Sequence, residues 1–114
     1  MPEQVEEILR EFETYFAKMR KEIPETREAF TNLLGTVHKD GALSAKHKEL
    51  ICVAISVYAH CEACMVHHTR QAIEAGATRP EIMEACAAAI VMGGGPAATQ
   101  VPIVMKSIEK WGTK

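Results

Sequence analysis

Cys61 and Cys64 are the residues best suited to chemistry, because two thiols three positions apart are flanked by His60 on one side and by His67 and His68 on the other. If both lay on an α-helix, their Cα atoms would be about 5 Å apart, a separation that a disulfide can bridge. At about 100° of rotation per residue, His68 would lie about 20° from Cys61 and about 40° from Cys64, and so project between the sulfurs. His67 would lie about 60° beyond Cys64 on the same side, so helical geometry favours His68 without excluding His67. Ala72 and Ala75 continue the stripe and leave its lower part small and apolar.

The thiolate, not the thiol, attacks a peroxide or a disulfide, and a free cysteine is mostly protonated at neutral pH. A helix N-terminus favours the thiolate, an imidazole within one turn can relay its proton, and the second cysteine can then close an intramolecular disulfide. The same pair could instead hold zinc, but a closed site wants four ligands and only His60, His67 and His68 are close by. A third reading, two thiols that merely pack, is less common for a pair flanked by three histidines. Cys52 and Cys86 lie in strongly apolar segments without a polar companion and read as small core residues. His38 and His47, in or near a polar loop, read as solvated, and the methionines read as core. Glu49 sits at the margin of the most apolar segment, about 40° from Val53 by helical rotation, where a carboxylate could meet the cysteine helix. A glutamate one turn into a helix is, however, usually solvated.

The 114 residues suffice for one domain, residues 1–114, and an apolar share of 47% can build a core. With 13 basic against 15 acidic residues, and no run of Lys or Arg longer than a pair, a nucleic-acid partner is not expected. The opening Met1-Pro2-Glu3-Gln4-Val5-Glu6-Glu7 is acidic where a signal peptide is basic and then apolar, and no uninterrupted apolar stretch reaches membrane-spanning length. A cytoplasmic protein without a membrane partner is therefore expected. In a reducing cytosol, a close pair among four cysteines points to metal binding or redox chemistry rather than to a structural disulfide framework.

The elements that must position these groups are all helical. Val5, Ile8, Leu9, Phe12, Phe16 and Met19 mark one buried stripe. Pro24 fits the first turn of a second helix whose apolar face is Phe30, Leu33, Leu34 and Val37. His38 to Leu43 reads as a loop, and Ser44 as the N-cap of a central helix, apolar nearly all round from Leu50 to Ala59 and so expected to be buried on several sides. No Gly or Pro interrupts the chain from Ser44 to Gly76, yet one helix of that length is unusual in so small a domain. A break near His60 is expected, because a reactive pair gains most at a helix N-terminus. Gly76 reads as a C-cap residue, Thr78-Arg79-Pro80-Glu81 as a capping box and Gly93-Gly94-Gly95-Pro96 as a break before a last helix strained by Pro102.

Glu49, eleven residues, Cys61-Glu62-Ala63-Cys64, three residues and His68 together resemble the Glu-x11-Cys-x-x-Cys-x-x-x-His pattern of AhpD-like alkylhydroperoxidases, in the superfamily that also holds the carboxymuconolactone decarboxylases. Leu43-Ser44, the lysines before Glu49-Leu50, Tyr58, His60, Gly76-Ala77-Thr78 and Glu81-Ile82 agree, so the similarity spans about residues 27–111. The resemblance implies an all-α AhpD-like bundle of about six helices that assembles as a homo-trimer or, for short chains, a homo-hexamer. It also implies that Cys61 and Cys64 are the redox pair, His68 the proton relay and Glu49 its carboxylate partner. A small hydroperoxide or a disulfide would be the substrate and a thiol the electron donor, with no cofactor and no metal. In one departure, Ala63 stands where some alkylhydroperoxidases place a histidine directly before the second cysteine, which weakens the transfer of full peroxidase activity more than that of redox chemistry. Two other readings are a decarboxylase acting on an aromatic-degradation lactone without a redox pair, against which the intact cysteines argue, and a non-enzymatic metal-binding or assembly module.

Overall fold

The helical periodicity is realised along residues 2–112, the part of the chain that the computed structural model describes; Met1, Thr113 and Lys114 of the expected domain lie outside it. Six helices follow one another: α1 (Pro2–Glu22), α2 (Pro24–Val37), α3 (Ala45–Ala59), α4 (Glu62–Glu74), α5 (Arg79–Ala98) and α6 (Val101–Trp111). No strand occurs among the described residues, and the fold is all-α. α3 packs between α4 and α5, α4 also meets α6 and α1, and α2 packs on α1.

The core is the meeting of four apolar stripes: Val53 and Val57 of α3, Met65 and Ala72 of α4, Ile82, Cys86 and Ala89 of α5, and Val104 and Ile108 of α6. Burying a Val, Ile or Met fully is worth about 1.5–3 kcal/mol, so these residues set the positions of α3 and α4. Cys86 is a core residue, and burial pushes its thiol up to about 11. α1 closes the bundle by burying Val5 and Leu9 against Val66, with Phe12, Ile103 and Trp111 at the edge.

Two helix ends decide where the chemistry sits. Lys48 of α3 donates to the carbonyls of Val37 at 2.9 Å and Lys39 at 2.7 Å. A cation on the last carbonyls of a helix satisfies groups that would otherwise lack partners, and here it holds the end of α2, with His38, against α3. At the other end of α3, His60 adopts a left-handed backbone (φ 58, ψ 41). The His60 N–H donates to Val57 O at 3.3 Å and the Cys61 N–H to Ser56 O at 3.1 Å, the paired bonds of a Schellman motif. Cys61 is then the N-cap of α4. The two helices join without a linker, and the break falls where the chemistry wanted it.

Gly76 (φ 99) ends α4 in the same way, and Thr78 and Glu81 form the capping box of α5, with the Thr78 N–H donating to Glu81 Oε1 at 2.9 Å. That bond, followed by the Lys46 ammonium 3.0 Å away, holds the Glu81 carboxyl below its usual range and ties α5 to α3. α5 is kinked at Gly94 (φ 65, ψ −149).

Three expectations need correction. Pro102 falls in the first turn of α6, where a missing N–H costs nothing, so it does not strain that helix. The central helix is buried on only part of its surface, with Ile51, Ile55 and Tyr58 exposed, and Phe30, Leu33 and Val37 of α2 are likewise exposed within one chain. No single helix among the described residues is long and apolar enough to cross a membrane.

Candidate active site

Cys61 and Cys64 are joined in a disulfide, with Cα atoms 5.2 Å apart. As the N-cap residue, Cys61 has an extended backbone (φ −103, ψ 100), and its sulfur accepts the Cys64 N–H at 3.2 Å. That position gives a reduced sulfur the partial positive charge of the helix end, the setting that favours a thiolate. Because Cys61 is not itself helical, rotation about the helix relates Cys64 to His68 but does not place Cys61. Met65, Val66, Thr69 and Ala72 turn one face of α4 into the core, so Cys64, His67 and His68 are carried on the other side.

Glu49 is only 6% exposed, and a buried carboxylate is costly unless it is paired. One of its oxygens accepts the His68 Nδ1–H at 2.8 Å. With its single proton on Nδ1, a neutral His68 keeps a lone pair on Nε2 and can accept a proton there. The other Glu49 oxygen lies 3.3 Å from His38 Nε2. His38 Nδ1 lies 3.1 Å from Leu34 O; a carbonyl only accepts, so Nδ1 carries a proton. Cys52 Sγ completes the group, 3.6 Å from His38 Nε2. Burial, and then the Glu49 charge, push the Cys52 thiol up.

His38 is therefore not a solvated loop histidine, and Cys52 does not lack a polar companion. Cys52 follows Glu49 by three positions on one helix, so the sequence already placed the two on one face; the fold of the His38 segment onto that face comes from Lys48. His47 is exposed and bonded to Ser44 Oγ at 2.8 Å, an ordinary helix-end histidine.

Cys64, His67 and His68 line a cavity of about 280 Å³ walled by Phe12, Phe16, Phe30, Leu34 and Ala63, with Glu13 at its edge. Burial, and then the neighbouring His68, hold the His67 imidazole below its ordinary value of 6.5. A larger groove of about 880 Å³ along α1 reaches only Glu62 and Ala63 of this region, so the smaller cavity is the one that meets the sulfur chemistry. Arg27, which the sequence did not single out, fixes its wall: the buried guanidinium donates to Phe16 O at 2.8 Å, bonds Thr31 and lies 3.6 Å over the Phe16 ring.

In this structure the two sulfurs of the zinc set considered from the sequence are bonded to each other and offer no thiolate ligand. The ligand atoms that do converge, all within 4.8 Å of one another, belong to His38, Glu49, Cys52 and His68.

Fold and site together define a small all-α protein with a Cys-x-x-Cys pair set beside a buried glutamate and histidine. The family model of the carboxymuconolactone decarboxylases matches residues 24–106, and the chain belongs to that family, within the AhpD-like superfamily. An uncharacterised protein of Cupriavidus necator is 39% identical over 90 residues, covering 79% of this chain and 80% of its own. Among solved structures, a carboxymuconolactone decarboxylase family protein of Legionella pneumophila superposes with a TM-score of 0.91 at 34% identity, covering 96% of this chain and 98% of its own. A family member from Thermotoga maritima superposes with a TM-score of 0.69 at 28% identity, covering 84% and 88%.

Proposed function

We propose that the protein is a thiol-dependent oxidoreductase that reduces a small hydroperoxide or disulfide through Cys61 and Cys64. The observation that carries this reading is the placement of Cys64 and His68 on one apolar cavity, with His68 held by the buried Glu49. The cavity reaches Cys64 and not Cys61, so Cys64 is the sulfur that a substrate meets first. His68 Nε2 takes the Cys64 proton, and Glu49 stabilises the imidazolium that results. The thiolate attacks the terminal oxygen of a hydroperoxide ROOH, breaking the O–O bond and giving a Cys64 sulfenic acid and RO⁻, which His68 protonates to ROH. The Cys61 thiol then displaces water from the sulfenic acid and closes the disulfide. Two thiols and ROOH thus become a disulfide, ROH and water, and an external dithiol restores the pair. With a disulfide as substrate, the same thiolate attacks sulfur and proceeds through a mixed disulfide.

The aromatic-rich lining suits an alkyl group, and a cavity of about 280 Å³ holds only a small one. A role in the antioxidative response has been suggested for the Thermotoga maritima relative, which supports this reading. The lactone decarboxylation named by the family gives the sulfur pair no task.

Peptide mapping of alkylated protein tests the pair: mild oxidation should protect Cys61 and Cys64 and leave Cys52 and Cys86 alkylatable after unfolding. A sulfenic acid probe should label Cys64 in the Cys61→Ser variant treated with peroxide, and should label nothing in Cys64→Ser. Oxidised protein with four alkylatable thiols, or turnover that persists in both serine variants, would refute the proposal, and decarboxylation of the lactone would replace it.

A further inference from the structure

His38, Glu49, Cys52 and His68 bring two imidazoles, a carboxylate and a thiol together from the end of α2, the body of α3 and the middle of α4. The arrangement is short of positive charge. Leu34 O fixes a proton on His38 Nδ1, so a neutral His38 turns the lone pair of Nε2 toward a Glu49 oxygen 3.3 Å away and a sulfur 3.6 Å away. The Cys52 thiol has one proton to share among the three atoms, so the His38 nitrogen and the Glu49 oxygen still face each other unless a second proton or a cation lies between them.

The donor set and the spacing select the cation. Two nitrogens, one oxygen and one sulfur suit zinc and exclude magnesium and calcium, which take oxygen. A tetrahedral zinc, with N and O ligands at about 2.0–2.1 Å and sulfur at about 2.3 Å, separates its ligand atoms by about 3.3–3.6 Å. The observed 3.3 Å from His38 to Glu49 and 3.6 Å from His38 to Cys52 already match. His68 Nδ1 lies 2.8 Å from the other Glu49 oxygen, and the four ligand atoms all fall within 4.8 Å of one another, so small side-chain rotations would bring them to those separations. The bond from His38 Nδ1 to a backbone carbonyl is also the outer-sphere contact that metal-bound histidines typically make.

We infer that these four residues form a zinc site separate from the Cys61–Cys64 pair. On binding, the ion displaces the Cys52 thiol proton to solvent, and the single proton of His68 moves from Nδ1 to Nε2. One thiolate and one carboxylate then balance the dication. A consequence, resting on the relay reading above, is that an ion held by Glu49 and His68 withdraws both from proton transfer, so zinc binding and thiol turnover exclude each other.

The test uses full-length protein with the Cys61–Cys64 disulfide closed, so that neither sulfur can ligate and no turnover is involved. Titration with Co²⁺, then Zn²⁺ competition, should give one equivalent per chain with a thiolate-to-cobalt charge-transfer band and the intense visible absorption of a tetrahedral ion. Cys52→Ser should abolish the charge-transfer band. His38→Gln should weaken binding by at least the ~10–100-fold that loss of even an outer-sphere partner costs. Circular dichroism and disulfide closure report whether each variant is folded, and one folded variant is enough to decide. The inference is overturned if wild-type protein binds no stoichiometric ion, or if the folded variant binds as wild type does, which would place the ion elsewhere. Because this measurement needs no turnover, failure of the oxidoreductase reading would leave its result standing. Zinc inhibition of peroxide reduction in the wild type, relieved in His38→Gln, then tests the coupling.

Discussion

At the scale of single residues, the Glu49–His68 pair makes the sharpest prediction. Glu49→Gln keeps size and hydrogen bonding while removing the basic oxygen, and His68→Gln removes the base itself. Both variants should slow thiol alkylation and turnover near neutral pH. The loss should shrink as pH rises toward the intrinsic thiol pKa of about 8.5, where solvent supplies the thiolate unaided. Profiles that match the wild type in both variants would remove the two residues from the mechanism. His67 makes a second prediction. Its folded-state pKa lies below its ordinary value of 6.5 because burial and His68 disfavour the charged form. The unfolded chain therefore binds the extra proton first as pH falls below about 6.5, and stability drops over that window. In His67→Gln that part of the acid destabilisation should vanish, as read from denaturant midpoints at pH 7.5 and 5.5; an unchanged difference between the two would contradict the assignment.

Single-residue chemistry was legible to the extent that it was local. Cys61, Cys64 and His68 lie within two turns, and their spacing alone proposes a redox pair with a base. The Glu49 partnership came from family resemblance, because a carboxylate near the start of a helix has no sequence mark that separates burial from solvation. His38 and Cys52 were missed for a related reason. Their meeting depends on Lys48 reaching back to the carbonyls of Val37 and Lys39, a long-range capping contact that no local pattern announces.

At the scale of elements, the helix junctions repeat this division. Thr78 and Glu81 announce their cap in residue types, and the structure forms it. The α3–α4 junction uses His60 in a left-handed conformation that favours Gly or Asn, so no residue type marks the break; the length of the uninterrupted stretch suggested one and the chemistry of the cysteine pair helped to place it. Gly94 offers the cleanest test of an element's geometry. Its φ of 65 and ψ of −149 fall in a region essentially reserved for glycine, where other residues cost about 1–3 kcal/mol. Gly94→Ala should destabilise by that amount in chemical unfolding. Gly95→Ala is the control: its added Cβ meets nothing within 4 Å and its φ is not positive, so its stability should match or slightly exceed the wild type. Equal effects of the two substitutions would show that α5 does not kink at Gly94.

At the scale of the whole molecule, one chain leaves too much apolar surface in water. Val91 and Met92 of α5 are 82% and 76% exposed, and Ile51, Ile55 and Tyr58 of α3 are exposed with them. Ala54, Ile55, Tyr58, Ala88, Ala89 and Met92 line a shallow groove between the two helices. Scattered apolar residues on a surface need no explanation, but a contiguous patch marks an interaction site. The small alanines of α5 let another helix approach closely, and a second copy of this chain is the partner that the superfamily resemblance implies. A homo-trimer or homo-hexamer is therefore expected by light scattering at micromolar concentration. Ile55→Glu and Met92→Glu place an unpaired carboxylate in that face, where a lone buried charge costs several kcal/mol. Each should shift the mass toward the monomer, while the Cys61–Cys64 disulfide, held within one chain, should still close on oxidation. A monomeric wild type would end the expectation. An oligomer unmoved by either variant would put the interface elsewhere, with the exposed Phe30, Leu33 and Val37 of α2 as the next face to substitute.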